Sequence, residues 1–174
     1  MKKFLFIFLI FPISYFSQTF DSVIQASKFI GKPFSDFESN LSLKSQRTTS
    51  KFGLERRVYK KEGIVYSTEE KQDNNVIDEI SIAKIQDPQS HELWYGIVKT
   101  ANEYPNFKFI KAVIAKNKKE ISDKELTFNE LIDYLRSDED TAELSYFVDY
   151  TLNNLKYSFA VIDNSLFIVI SVSK

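Results

Sequence analysis

Residues 150–174 read YTLNNLKYSFAVIDNSLFIVISVSK, two apolar runs set off by Asn153-Asn154 and Asp163-Asn164. Asparagine and aspartate tolerate the left-handed backbone of a two-residue hairpin, so both pairs mark turns. Within the runs the apolar side chains alternate. Leu155, Tyr157, Phe159 and Val161 fall on one face, and so do Leu166, Ile168, Ile170 and Val172. A period of two is that of antiparallel strands with one packed face, and the spacing predicts a meander whose packed face receives a helix.

An earlier stretch repeats this layout. Tyr59 and Tyr66 stand seven apart and are broken by Glu62-Gly63, as Tyr150 and Tyr157 are broken by Asn153-Asn154. Ile80-Ser81-Ile82-Ala83-Lys84 closes the first stretch and Ile170-Ser171-Val172-Ser173-Lys174 the second, with breaks at Asp73-Asn74-Asn75 and Asp163-Asn164-Ser165. Ahead of each lies a short amphipathic window, Phe34, Phe37, Glu38, Leu41 and then Phe128, Leu131, Ile132, Leu135. Offsets of three, four and seven place each set on one helix face. The fold class that follows is α+β, with two tandem helix-plus-antiparallel-meander units forming a sheet layered with helices. The units span 18–87 and 127–174. Residues 88–126 between them hold a helix at 90–103 and a strand at 107–115, and a further helix is expected at 22–30 behind Asp21 as its N-cap.

Residues 1–17 have the layout of a secretory signal peptide: Lys2 and Lys3, an apolar run over 4–11, then Pro12 and the small or polar Ser14, Ser17 and Gln18. The run is shorter than the ~20 residues that span a bilayer. We expect an exported protein, periplasmic or secreted, cut after Ser17, with no transmembrane span once the signal is removed.

Composition narrows the function. The 174 residues carry 23 Lys and Arg against 24 Asp and Glu, a net charge of −1, so no global positive field recruits nucleic acid. Zero cysteines exclude disulfides, thiolate metal sites and thiol nucleophiles. His91 is the only histidine, which excludes a histidine metal cluster, and near a helix start it is expected to be solvated. Four glycines form no phosphate-cradling loop. Trp94 and Tyr95 have the helical spacing of core residues. Lys116, Lys118 and Lys119 suit a soluble strand end. The run 137–141 lacks the glycine turn and distal glutamate of a calcium loop. No catalytic, cofactor or metal residues are assigned.

Ala160, Ile162, Phe167 and Val169 point away from the face that takes the helix, where a sheet covered on one side is normally polar. The ordinary expectation is that the other unit, or the helix carrying Trp94, packs on them. The functional alternative is an apolar patch that docks a protein partner.

Residues 29–41 and 59–85 resemble the units of the β-lactamase inhibitor protein and of the small outer-membrane assembly lipoprotein domain (SmpA/OmlA). Ile30-Gly31-Lys32 ahead of the short helix, then Tyr59, Gly63, Ile64 and the closing Ile80 to Ile82, carry the likeness. It implies a sheet layered with helices and a role in binding proteins without chemistry. The chain departs from both in lacking cysteine, and carries 42–50 where those units have glycine and proline. The function expected is an exported, non-enzymatic protein-binding module, such as an envelope inhibitor, immunity or assembly accessory protein. The alternatives are a small secreted hydrolase using Asp138, Glu139 and Asp140, or a binder of a small apolar ligand.

Overall fold

Both tyrosine-flanked turns form. Glu62 and Gly63 take φ of 51° and 77°, and Asn153 and Asn154 take 50° and 63°, the twist that two-residue hairpins require. They join β2 (Glu55–Lys61) to β3 (Ile64–Glu69) and β7 (Leu144–Leu152) to β8 (Leu155–Ile162). Asp163 and Asn164 turn the chain in the same way into β9 (Ser165–Val172). The corresponding step in the first half is longer, residues 70–78 leading into β4 (Glu79–Lys84). Glu70 organises that connection. Only 5% exposed, its carboxylate accepts the N–H groups of Glu55 at 2.7 Å and Asn75 at 3.0 Å, partners that a buried charge needs.

This computed structural model describes residues 10–49, 53–116, 119–120, 126–136 and 144–173. Three further strands, β1 (Gln46–Thr49), β5 (Lys108–Lys116) and β6 (Lys119–Glu120), complete a nine-stranded antiparallel sheet in the order β1-β2-β3-β4-β9-β8-β7-β5-β6. Four helices accompany it among the described residues: α1 (Ile10–Ser27), α2 (Phe34–Leu41), α3 (Ser90–Glu103) and α4 (Phe128–Arg136). The protein is thus an α+β layered fold.

All four helices lie on the same face. From α1 come Phe20, Val23 and Ala26, from α3 Leu93, Trp94, Ile97, Val98 and Ala101, and from α4 Leu131; they meet the buried Tyr146, Val148, Tyr150, Phe159, Val161, Ile168 and Ile170. Phe34 and Phe37 of α2 close over Tyr59, Ile77 and Ile80. Trp94 stacks on Tyr146 with ring centroids 5.3 Å apart, and its indole N–H donates to the Phe159 carbonyl at 3.1 Å. A capping box starts α4: Thr127 Oγ1 accepts from the Glu130 N–H at 3.3 Å while Glu130 Oε2 accepts from the Thr127 N–H at 2.8 Å.

Several expectations change. The helix placed at 22–30 is the second half of α1, and Asp21 lies inside it, exposed, instead of capping it. Phe20, Val23 and Ala26 recur at one-turn spacing into the core, so the helical phase runs through Asp21 and ends before Gly31, whose φ is +78°. These three core residues all lie after Ser17. Tyr95 is 40% exposed, not core, and His91 is half-buried, edge-on to Tyr146 at 6.2 Å, not solvated. Val172 is 52% exposed beyond the helix layer. Lys118 and the run 137–141 lie outside the described residues.

The strand register relates the two halves. Tyr59 lies opposite Tyr66, and Tyr150 opposite Tyr157. Tyr66 in turn faces Ile82, whereas Tyr157 faces Ile170. Ile82 and Ile170 therefore hold equivalent places, two residues out of step with a match of Ile80-Ser81-Ile82 to Ile170-Ser171-Val172. The longer 70–78 connection causes the offset. Ile80 and Ile170 instead face each other across the β4–β9 seam.

Candidate functional site: the helix-free face of the sheet

Strand alternation puts every second residue of the sheet on the face opposite the helices. Among the described residues no helix packs there. Ala160, Ile162, Phe167 and Val169 all stand on that face, each partly exposed, while their neighbours Phe159, Val161, Leu166, Ile168 and Ile170 are buried under helices. The covering expected from Trp94 or from the other unit does not occur: Trp94 lies on the helix side, and the second unit continues the same sheet through β4 and β9. Antiparallel pairing extends a sheet edge to edge, so neither unit can fold back over the other.

Following the register across the sheet shows how the face is built. One row runs Val65, Ala83, Phe167, Ala160, Phe147, Val113 through six adjacent strands, β3-β4-β9-β8-β7-β5. All six are apolar and all are partly exposed. The next row is mixed: Val58, Ser67, Ser81, Val169, Ser158, Asp149 and Lys111. The third is charged and polar: Arg56, Glu69, Glu79, Ser171, Lys156, Thr151 and Lys108. Asp149 is held in place, accepting from Ser158 Oγ at 2.6 Å and pairing with Lys156 Nζ at 2.7 Å.

Phe147, Val113, Val65 and Ala83 belong to this surface and escaped the sequence reading. In the segment 144–150, LSYFVDY, Phe147 alternates with Ser145 and Asp149, opposite Leu144, Tyr146, Val148 and Tyr150, so it is a lone apolar residue on a polar phase. Val65 and Ala83 gain meaning only as neighbours of Phe167 in the row.

The register also supplies an internal control. With Tyr59 equivalent to Tyr150, Tyr66 to Tyr157 and Ile82 to Ile170, the open-face residues Phe147, Ala160, Phe167 and Ala83 stand where the other half has Arg56, Glu69, Glu79 and Ser171. On the helix side the equivalent tyrosines and isoleucines keep their chemistry, while Arg57 and Thr68 stand where the other half has Val148 and Phe159. On the open side Arg56, Glu69 and Glu79 give way to Phe147, Ala160 and Phe167. The same strand geometry thus forms with either chemistry outward.

A second polar feature sits under α2. Arg57 donates to Glu38 Oε1 at 2.9 Å and pairs with Glu55, its guanidinium 4.8 Å over the Phe34 ring, and Tyr59 Oη donates to Glu38 at 3.2 Å. Burial opposes ionisation of Glu38, but hydrogen bonds from Ser45 and Arg57, with the Arg57 charge, outweigh it and hold the carboxyl below its ordinary range. Burial pushes the Tyr59 phenol up to about 12. Near neutral pH Glu38 stays charged and Tyr59 stays protonated, so neither is poised for proton transfer. Among the described residues no three His, Asp or Glu side chains gather as a metal site, and no helix is long and apolar enough to cross a membrane. Asp138, Glu139 and Asp140 lie outside the described residues.

On the helix side, a groove of about 260 Å³ opens between α1 and the seam, walled by Val23, Ile64, Tyr66, Ile82, Leu93 and Ile168. Comparison with known proteins finds no matching family model, no matching curated protein and no matching solved structure.

Proposed function

We propose that this chain is an exported, non-enzymatic protein-binding module whose helix-free sheet face docks a protein in the cell envelope or outside the cell. One observation carries the reading: positions that are Arg56, Glu69 and Glu79 in one half are Phe147, Ala160 and Phe167 in the other. Were apolar side chains needed there for folding, the charged half would not form the same strands. Residues retained on a wet face without a folding need are the usual mark of a docking patch. The Lys2-Lys3 and apolar leader supports export. The resemblance to the inhibitor and assembly-lipoprotein units points to the same kind of work: binding without chemistry.

The test substitutes Phe167→Asp and Val169→Asp in turn. Folded variants with near-native melting that no longer retain the protein held by wild type from envelope and secreted fractions are the expected result. Unfolded variants would make this face core and end the reading. The apolar groove favours a second reading, a small apolar ligand on the helix side. Saturable binding of a fluorescent apolar probe, abolished by Ile64→Trp, is what that reading requires.

A further inference from the structure

We infer that the mature amino terminus is a modification site: Gln18 closes on its own α-amine to form pyroglutamate, and the lactam blocks trimming of α1. The inference rests on the reading of this chain as exported and cut after Ser17, and states what that cut leaves behind. The released chain begins Gln18-Thr19-Phe20. At a free terminus the glutamine carboxamide carbon lies at five-membered-ring distance from the amine. Asparagine would close a strained four-membered ring, and glutamate would have to expel oxygen as water. The α-nitrogen attacks Cδ, the Cδ–Nε2 bond breaks, and a proton from the amine leaves with Nε2 as ammonia. The step is intramolecular and consumes no oxidant or co-reactant. Its product is a neutral lactam with no terminal amine left to protonate.

The fold makes that terminus worth blocking. Two residues beyond the cut chain's first residue stands Phe20, 1% exposed, its ring 5.3 Å from Tyr104 and 5.6 Å from Phe107. Phe107 in turn lies 5.6 Å from Tyr150 and 4.8 Å from Tyr157 of the sheet. After the cut, α1 therefore enters the aromatic core within its first turn, and Val23 and Ala26 follow. The first turn of a helix frays, because its N–H groups have no partners within the helix. An aminopeptidase that removes Gln18 and Thr19 from the frayed turn puts the free amine on Phe20, and its next cut takes a core ring. Most chains carry spare residues ahead of their first core contact. Here the spare length is Gln18 and Thr19, so protection has to come from the terminal residue itself.

Intact mass of the protein freshly exported by its source cells, expressed in full with residues 1–17, reads the outcome before any digestion. We expect a chain that starts at Gln18 and is lighter by one ammonia than the amine form. The exported protein should also resist a broad-specificity aminopeptidase. Gln18→Ala keeps a good helix former at the position but cannot cyclise. Its exported chain should be trimmed past Phe20 and melt roughly 10 °C lower after the digestion. A start at Gln18 with the amine intact overturns this inference and leaves the export reading standing. A Gln18→Ala chain that resists trimming as well as wild type overturns the protective role. An exported chain that starts at any other residue overturns the cut and the modification together. A chain that keeps residues 1–17 ends the export reading as well.

Discussion

Ser81 of β4 lies opposite Val169 of β9, and a half-turn about that pair carries each half of the sheet onto the other. The Ile80–Ile170 pair maps onto Ile168–Ile82, Tyr59–Tyr66 onto Tyr150–Tyr157, and the Glu62-Gly63 turn onto Asn153-Asn154. The backbone obeys this symmetry, and side chains follow it only in part: Arg57 and Thr68 under the helices map onto Val148 and Phe159, and Arg56 and Glu69 on the open face map onto Phe147 and Ala160. The functional argument lies on the open face because no described helix covers it.

Trp94 ties α3 to the sheet through both packing and an indole hydrogen bond. Trp94→Ala is expected to cost about 3–5 kcal/mol. Trp94→Phe should cost about 1–3 kcal/mol, since it leaves the buried Phe159 carbonyl without that donor. Urea unfolding followed by circular dichroism measures both, and a Phe variant as unstable as the Ala variant would assign the whole effect to shape.

Glu62 takes a left-handed φ of 51° in a place where the second half uses Asn153. Glu62→Asn creates an Asn-Gly turn and should stabilise the protein by roughly 1 kcal/mol. A raised thermal midpoint is the readout. A lowered one would mean that the carboxylate contributes more than its backbone strain costs.

Glu70 satisfies two backbone N–H groups in the 70–78 connection. Glu70→Ala strands them and is expected to cost about 1–3 kcal/mol, with faster amide exchange at Glu55 and Asn75 while the tyrosine hairpins stay protected. Uniform loss of protection across the sheet would contradict a local role.

Two groups make the protein acid-sensitive in separate windows. Burial lowers the His91 pKa from its ordinary 6.5, so the folded state binds its proton less readily than the unfolded chain, and stability falls as pH drops below about 6.5. Glu38, held below its ordinary 4.5 by partners that outweigh its burial, adds a second loss as pH falls below about 4.5. Stability measured against pH should lose the first slope in His91→Gln and the second in Glu38→Gln. Unchanged slopes in these variants would assign the acid sensitivity to other groups.

Much of the architecture was legible locally. The windows at 34–41, 90–103 and 128–135 are helices because each carries its apolar residues at helical spacing. The turns at Glu62-Gly63, Asn153-Asn154 and Asp163-Asn164 form because their residues tolerate positive φ. β1 escaped notice because its four residues, QRTT, carry no apolar alternation, and α1 was divided at Asp21 because a capping residue type is also tolerated on an exposed helix face.

Spacing and turn chemistry act over a few residues, so the chain states its helices, hairpins and alternating faces wherever it is read. Which half of the alternation stays wet is not a local property. It depends on β4 meeting β9 across some ninety residues of sequence, which makes one sheet of two units, sends Trp94 to the helix side, and aligns Val65, Ala83, Phe167, Ala160, Phe147 and Val113 into a row. Each of those residues is unremarkable alone, and long-range pairing gives them a shared surface.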